Sequence, residues 1–327
     1  METKPRIVCL LKLLIKYTDQ EHPLTTNQLI SLLEKEYNLK VHRITLKKDI
    51  ESLQSVGYDI IEIKSSQNKY FLNDRLFELP ELKLLIDAVE SSKFITQSKS
   101  DKLINKIHQL ASVNQVKKLE RKNYVVNKVK PDNEQIYYIV DKINDAINDD
   151  KQISFQYFDY TGLKKKVLKN KGEIYTISPY HLVWDGDYYY VVGYSDKHSK
   201  VISFRVDRIA TVPEVLDDSN HPQPKEFDLN RFSKTTFRMF DGEIVQVDLR
   251  CDNSIMKLII DKFGEDVTTL AYDMESFRVL TEVAISPTFF GWVFGFEGKI
   301  EILGPIEVKE EFKKLVLQFN NNLKHKN

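Results

Sequence analysis

The spacing of the apolar residues changes near residue 136, and this change limits what the chain can fold into. Before it, apolar side chains recur at the period of an amphipathic helix. After it come short runs rich in aromatic and β-branched residues, separated by turn residues, which is typical of small β-sheets. A chain of 327 residues also exceeds what one hydrophobic core usually organises. We therefore expect an α+β protein of several domains.

The first 74 residues predict three helices followed by a β-hairpin. Helical spacing of apolar residues is seen over 5–18, from about 25 to 37, and again over 43–57. Thr25 and Gln28 have the spacing of a capping box, in which each side chain satisfies the other residue's backbone amide. Residues 58–64 and 69–72 alternate like strands around a polar turn. These elements predict an N-terminal domain over residues 1–74.

A second helical pattern covers residues 75–130, and we predict that it forms a helical linker. Between Lys99 and Lys130 the chain has nine Lys or Arg residues and two acidic residues. Such a stretch is either a solvated helix face or a collar that attracts phosphate groups. The sequence leaves both interpretations open.

The remaining residues predict two further domains. After one helix, strands at 153–157, 173–178, 181–184, 188–194 and 201–206 predict a small β-barrel over residues 131–218, with Tyr189 in its core. Residues 217–224 contain two prolines and predict a linker. The last domain, over residues 219–327, has the order strand, helix, strand, strand, helix, strand. That order indicates a ferredoxin-like fold.

The composition indicates the cellular compartment of the protein but does not identify its binding partners. The chain has 48 basic and 48 acidic residues, so its net charge of zero does not identify a partner. Cys9 and Cys251 are too few for a disulfide framework and form no CxxC pair, which favours the reducing cytoplasm. The sequence has no signal-peptide pattern and no apolar run long enough to span a bilayer. We therefore expect a cytoplasmic protein without a membrane partner.

Catalytic motifs are not apparent in a suitable context. The GxSxG, HExxH, P-loop and GxGxxG patterns are missing, and the seven histidines lack metal-ligand spacing. We therefore expect no enzymatic activity, no cofactor and no metal. One alternative is a metal-dependent nucleic-acid-processing enzyme that uses Asp185, Asp187 and Asp207, although these residues are also typical of turns. A second alternative is an interaction scaffold that does not bind DNA.

Hydrogen-bond donors cluster at the start of the third predicted helix, in the segment VHRITLKKDI from Val41 to Ile50. This segment resembles the winged helix-turn-helix of DeoR-type and YafY-like regulators, whose corresponding helix enters the DNA major groove. His42 stands where those proteins usually have Ser, and Lys48 stands where they usually have Arg. The resemblance implies a DNA-binding surface formed by His42, Arg43, Thr45, Lys47, Lys48, Lys64 and Lys69.

The most specific resemblance lies in residues 178–194, SPYHLVWDGDYYYVVGY, and 203–209, SFRVDRI. Both segments look like a WYL domain, with Tyr189, Tyr190 and Val191 in place of its Trp-Tyr-Leu triplet. Residues 290–295 and 300–305, FGWVFG and IEILGP, are similar to the WCX extension that follows such domains. The resemblance implies a small SH3/Sm-like barrel that binds a nucleic acid or nucleotide-like anionic effector. Its ligand-binding residues here would be Tyr180, His181, Ser203, Arg205 and Arg208.

These features together predict a ligand-responsive transcription regulator. The winged helix would bind double-stranded operator DNA, and two copies of the chain would form a homodimer on a pseudo-palindromic site. Effector capture by the WYL and WCX domains would alter the spacing of the two winged helices through the helical linker.

Overall fold

The computed structural model describes residues 3–120, 130–131, 133–237, 239–240 and 242–324. The chain separates into two compact units, Met1–Glu134 and Gln135–Asn327. It has an N-terminal helical region, a central β-sheet region and a C-terminal α/β region, as expected for an α+β protein. None of the described helices is long and apolar enough to cross a membrane.

The N-terminal unit begins with three helices and a small antiparallel sheet. The helices are α1 (Thr3–Tyr17), α2 (Thr26–Tyr37) and α3 (Arg43–Ser55). The strands are β1 (Leu24–Thr25), β2 (Ile60–Ile63) and β3 (Lys69–Leu72), in the order β1-β3-β2. The predicted capping box is present at α2: the Gln28 amide donates to Thr25 Oγ1 at 3.2 Å, and the Thr25 amide donates to Gln28 Oε1 at 2.8 Å.

A buried ion pair holds α3 against α1. The Arg6 guanidinium donates two hydrogen bonds to the Asp49 carboxylate, at 2.6 and 2.8 Å, and the Asp49 side chain is only 3% exposed. The hydrogen bonds to Asp49 raise the pKa of Arg6, although burial opposes this shift. The apolar side chains beside this pair form the core of the three-helix region: Leu10, Leu13, Leu14, Leu29, Leu33, Leu46 and Ile50.

Three further helices complete the N-terminal unit: α4 (Leu79–Ser91), α5 (Gln97–His108) and α6 (Val113–Glu120). The helical pattern predicted for residues 75–130 is therefore seen up to residue 120, and residues 121–129 lie outside the described residues. Arg75 ties these helices to α1, because its guanidinium donates to the carbonyl oxygens of Ile15 at 2.9 Å and Leu110 at 3.4 Å. The region thus packs on α1.

The basic stretch between Lys99 and Lys130 is not uniformly solvated. The Lys130 ammonium donates to the carbonyl oxygens of Val89 and Ser92, each at 3.2 Å, and to Ser100 Oγ at 2.6 Å. Burial lowers the pKa of Lys130 accordingly. Lys130 therefore stabilises the end of α4 instead of extending a cationic surface. Arg121, Lys122 and Lys128 of the same stretch lie outside the described residues.

The second unit begins with helix α7 (Ile136–Asn148) and a curled five-stranded sheet. Its strands are β4 (Lys151–Gln156), β7 (Ile174–Asp185), β8 (Tyr188–Ser195), β9 (Lys200–Arg205) and β10 (Glu214–Ser219). The strand order is β10-β4-β7-β8-β9, and every neighbouring pair is antiparallel. A separate hairpin of β5 (Phe158–Tyr160) and β6 (Lys166–Leu168) is inserted between β4 and β7.

The two edge strands of this sheet are brought together by a short connection. A 3-10 turn at Val206–Arg208 follows β9 and leads towards β10, and Tyr157 forms an isolated bridge with Ile209. Inside the curl, Phe155, Tyr157, Tyr175 and Phe204 pack their rings with centroids 5.2 to 6.5 Å apart. This aromatic cluster is the core on which the sheet closes.

Two sequence-based assignments in this region are wrong. Residues 173–178 and 181–184 are predicted as separate strands, but β7 runs through Pro179 with a bulge between Pro179 and His181. The bulge accommodates the missing amide of Pro179, and Gly193 on β8 permits the close approach, since a Cβ atom there would lie 2.4 Å from the Ser178 carbonyl oxygen. Residues 217–219 belong to β10 and not to a linker, because they continue its pairing with β4.

The C-terminal region has the predicted order of strand, helix, strand, strand, helix, strand. These elements are β11 (Ile244–Asp252), α9 (Met256–Phe263), β12 (Thr268–Ala271), β13 (Ser276–Ala284), α10 (Pro287–Phe294) and β14 (Ile300–Gly304). A short helix α8 (Leu229–Thr235) precedes them, and the long helix α11 (Ile306–Lys324) follows. The sheet is antiparallel with the order β12-β13-β11-β14, and buried side chains such as Leu249, Ile259 and Phe289 form its core.

The ion pair between Arg6 and Asp49 should contribute strongly to the stability of the N-terminal unit. We expect Arg6→Ala to lower the free energy of unfolding by about 3 kcal/mol, because it leaves a buried carboxylate without its partner. Urea unfolding of the full chain measures this change. Lys12→Ala, an exposed change on the same helix, is the control and should have little effect. An Arg6→Ala protein as stable as the parent would contradict the role given to this pair.

Candidate functional site

The start of α3 presents most of the predicted DNA-binding residues to solvent. His42, Arg43, Lys47 and Lys48 are exposed, and Thr45 is half-buried. His42 precedes the first turn in an extended conformation and provides no side-chain cap. The acidic residue of the following turn, Asp49, points the other way into its ion pair with Arg6. The exposed surface at this end of α3 is therefore cationic.

A polar cleft of about 270 Å³ lies beside this end of α3. Arg43 is held at its edge, because the guanidinium donates to Asn27 Oδ1 on α2 at 2.9 Å. Lys47 is less constrained, and its ammonium lies 4.0 Å from the Glu51 carboxylate. The cleft is lined from α2, α3 and the turn between β2 and β3 by Thr26, Asn27, Arg43, Lys47, Ser66, Gln67, Asn68 and Tyr70.

Lys64 and Lys69 lie on the hairpin that borders this cleft. Lys64 directly follows β2, and Lys69 is the first residue of β3, where it pairs with Ile63. Both side chains are exposed. The two lysines thus stand at the two ends of the turn whose residues Ser66, Gln67 and Asn68 line the cleft.

Three of the predicted ligand-binding residues share one face of the curled sheet. The register pairs His181 with Val192 and Val192 with Ser203, while Arg205 pairs with Tyr190 two positions further along. This face is opposite to the aromatic core, because the adjacent Phe204 points inward. His181, Ser203 and Arg205 therefore lie on the outer face. Tyr190 lies there as well and is buried, whereas Tyr189, expected to be the core residue, is half-buried against Trp184.

Arg205 is held by an aromatic ring and a carboxylate. Its guanidinium donates to both carboxylate oxygens of Asp207, at 3.1 and 2.8 Å, and its central carbon lies 3.5 Å from the centroid of the Tyr188 ring. Burial opposes the charged form of Arg205, but the hydrogen bonds and charge of Asp207 outweigh it and raise its pKa. An anion that bound Arg205 would have to share the guanidinium with Asp207.

Arg208 is the less engaged of the two arginines. It forms no hydrogen bond or ion pair with any residue that the structure describes, and its side chain is half-buried. Burial raises the pKa of the Tyr157 phenol to about 12, and the nearby charge of Arg208 opposes that shift. The Tyr157 hydroxyl also accepts a hydrogen bond from the Arg205 amide at 3.1 Å. Tyr157 thus binds the backbone amide of Arg205, directly before the 3-10 turn in which Arg208 lies.

Tyr180 and His181 have different surroundings although they are adjacent. Tyr180 is the extra residue of the β7 bulge, and its hydroxyl donates to the Pro222 carbonyl oxygen at 3.2 Å. His181 stacks on Phe227 with 6.3 Å between ring centroids, and its buried Nε2 atom has no hydrogen-bond partner among the described residues. Ser203 donates to the Met239 carbonyl oxygen at 2.8 Å. Tyr180 and Ser203 thus hold the segment that leads into the C-terminal region.

Several residues around this face were not predicted from the sequence. Asp207, interpreted from the sequence as a turn residue or a metal ligand, pairs with Arg205. Lys262 on α9 donates to the Thr236 carbonyl oxygen at 3.0 Å, and burial lowers its pKa although the charge of Asp185 opposes the shift. No local pattern could have found Lys262, because it lies far along the chain. Among the described residues, no three His, Cys, Asp or Glu side chains form a cluster suited to a metal.

Comparison with known proteins identifies the central region. Residues 138–213 match the family model of the WYL domain, so the chain contains a WYL domain, as its sequence predicts. No curated protein matches the chain.

Two solved structures are similar to the chain at low sequence identity. One is proteasome accessory factor B/C (PafBC) of Arthrobacter aurescens, with 15% identity and a TM-score of 0.28 over 94% of this chain and 45% of that one. The other is described as a CRISPR Cas-related protein, with 15% identity and a TM-score of 0.38 over 99% of this chain and 84% of that one. The chain therefore spans less than half the length of the first structure.

The two arginines should differ in their effect on stability. We expect Arg205→Ala to lower the free energy of unfolding by about 2 kcal/mol, because it leaves the Asp207 carboxylate partly buried and unpaired. Arg208→Ala, which breaks no hydrogen bond among the described residues, should cost about 0.5 kcal/mol or less. Urea unfolding of the two variants gives the comparison. Equal destabilisation by the two substitutions would contradict the different roles assigned to the two guanidinium groups.

Proposed function

We propose that this protein is a ligand-responsive, DNA-binding transcription regulator and a binding protein without enzymatic activity. In this proposal residues 1–74 form a winged helix-turn-helix that binds duplex DNA. The WYL domain, a small SH3/Sm-like barrel, binds an anionic nucleic acid or nucleotide-like effector. The C-terminal region is a ferredoxin-like WCX domain.

The cationic start of α3 is the observation that carries the DNA-binding part. Arg43, Lys47 and Lys48 are exposed there, while the acidic residue on the buried side of the same turn, Asp49, is neutralised by Arg6. The first backbone amides of α3 also lack a side-chain cap from His42, and such amides bind phosphate groups well. A helix with this distribution of charge suits the phosphate-lined major groove.

The adjoining hairpin supports the same proposal. Lys64 and Lys69 border its turn, and that turn and α3 line one polar cleft. In winged helices the hairpin contacts DNA beside the groove that the third helix enters. Phosphate contacts from Lys64 and Lys69 would then fix the position of α3, while Arg43 and Thr45 reach the base edges.

The effector-binding part is supported by the arginines of the WYL domain. The Arg205 backbone amide donates to the Tyr157 hydroxyl, the charge of Arg208 acts on the same phenol, and the Arg205 guanidinium lies over the Tyr188 ring. Guanidinium groups bind phosphates through paired hydrogen bonds, and aromatic rings stack on bases. We infer that Arg208 makes the first contact with an anionic effector, since Arg205 is already paired with Asp207.

The proposal includes a homodimer. A single winged helix rarely contacts enough of a duplex for specific binding, and two copies related by a two-fold axis double the contacts. The binding stoichiometry on a duplex is therefore expected to be two chains.

Duplex binding should depend on the cationic end of α3. The slope of log affinity against log salt is negative for duplex binding. We expect the triple variant Arg43→Ala, Lys47→Ala, Lys48→Ala to reduce its magnitude by about 0.9 for each phosphate that these side chains neutralise. The probe is a fluorescent mixed-sequence duplex of about three helical turns, titrated at several salt concentrations. Replacement of the exposed residues Lys257, Lys313 and Lys314 by alanine is the charge-matched control.

Two results would contradict the DNA-binding proposal. An unchanged affinity and salt slope in the triple variant would show that the start of α3 does not contact the duplex. Failure of the parent protein to bind the duplex even at low salt would remove duplex DNA as a partner.

A further inference from the structure

The inserted hairpin of the WYL domain carries an unusual concentration of positive charge. From Asp159 to Lys171 every residue is exposed, and these thirteen positions contain five lysines and a single acidic residue. The ammonium groups of four of them form no ion pair or hydrogen bond within the described residues: Lys164, Lys165, Lys169 and Lys171. Glu173, the next acidic residue along the chain, does not neutralise them, because it pairs with Lys197 at 2.5 Å.

Exposed apolar side chains accompany these lysines. Tyr160 is 53% exposed and Leu163, at the turn, is 80% exposed. Tyr160 pairs with Lys166 across the hairpin, so the ring and the ammonium lie side by side on one face. The Phe158 ring packs against both groups: its centroid lies 5.5 Å from that of the Tyr160 ring and 5.0 Å from the Lys166 ammonium. An aromatic ring in this position can stack on a base, while the ammonium group beside it binds the phosphate of the same nucleotide.

The hairpin is continuous with the candidate effector site. It starts directly after Tyr157, whose hydroxyl binds the Arg205 amide and whose phenol is influenced by the charge of Arg208. It returns to the same point, because the Lys169 amide donates to the Tyr157 carbonyl oxygen at 2.7 Å. From Tyr157 to the start of the turn at Thr161 the chain extends by about 13 Å. A flexible polyanion that contacts the arginines can therefore also reach the lysines.

We propose that the segment from Phe158 to Lys171 is a basic arm that binds a single-stranded nucleic acid extending from the arginines of the WYL domain. Its lysines contact the phosphates, and Tyr160 stacks on an unpaired base. A single strand is favoured over a duplex because only unpaired bases present their faces to an exposed ring. This inference rests on the proposal that the effector is a nucleic acid, and it extends that site to a second, sequence-tolerant surface.

Oligonucleotide length separates the arm from the arginine site. The probes are fluorescent oligothymidylates of about 4 and about 12 nucleotides, with oligouridylates of the same lengths to distinguish DNA from RNA. We expect Lys164→Ala, Lys165→Ala, Lys169→Ala to lower the salt slope for the longer probe by about 2 and to leave the shorter probe unaffected. Tyr160→Ala should weaken the longer probe about tenfold without changing the slope.

The charge-matched variant with alanine at Lys257, Lys313 and Lys314 should bind both probes like the parent. Melting curves of the arm variants should match the parent, because every side chain removed is exposed. Unchanged binding of the longer probe by the arm variants would contradict the proposal that the arm binds nucleic acid. It would not contradict the proposal that the arginines bind the effector. Failure of the parent to bind either probe would overturn the nucleic-acid effector itself. Tighter binding of an equally long duplex, or binding of anionic phospholipid vesicles in place of oligonucleotides, would also overturn the arm.

Discussion

The placement of Arg205 determines the arrangement of the WYL domain around the candidate site. Its amide is bound by the Tyr157 hydroxyl, its guanidinium by Asp207, and its flat face by the Tyr188 ring. These contacts form where β9 ends and the 3-10 turn begins, so they fix the bend that leads to Arg208. The basic arm starts directly after Tyr157 and returns to its carbonyl oxygen through the Lys169 amide. The half-buried ion pair thus lies at the turn that contains Arg208, and Tyr157 attaches the arm to the same region.

Cationic surfaces form on this chain although its net charge is zero. In each case a neighbouring carboxylate is taken up by another partner: Asp49 by Arg6, Asp207 by Arg205, and Glu173 by Lys197. The cations beside these pairs then face solvent with little counter-charge. This local separation of charge, and not the overall balance, favours phosphate binding at the start of α3, at the WYL arginines and at the basic arm.

The features that the sequence could predict are those encoded within a few residues. The capping box of Thr25 and Gln28, the helical periods, and the sequence of strands and helices along the C-terminal region are local patterns, and the structure contains them. The hairpin β5–β6 was not predicted, because its strands are only three residues long and mostly exposed, so no alternation of burial marks them. The strand through Pro179 was also missed, since only the distant Gly193 makes it possible.

The candidate site follows the same division. His181, Ser203 and Arg205 were named from the resemblance to a WYL domain, and their common face follows only from the register of three neighbouring strands. The partner of Arg205 and the position of Lys262 could not be deduced, since both depend on a turn and on packing between distant segments. Burial of Tyr190 instead of Tyr189 has the same origin, because it depends on what covers the outer face of the sheet.

In the proposed function, effector binding to the WYL domain changes the affinity of the protein for DNA. The direct measurement is the dissociation constant of a fluorescent duplex at increasing concentrations of a single-stranded oligonucleotide of about 12 nucleotides. We expect the dissociation constant of the duplex to change by about fivefold or more and then to reach a plateau, as it does when two sites are coupled. The shift should be absent in Arg208→Ala, whose duplex affinity without oligonucleotide stays at the parent value. Oligonucleotide binding that leaves the duplex affinity unchanged would contradict this coupling. So would displacement of the duplex by the oligonucleotide to the same extent in the parent and in Arg208→Ala.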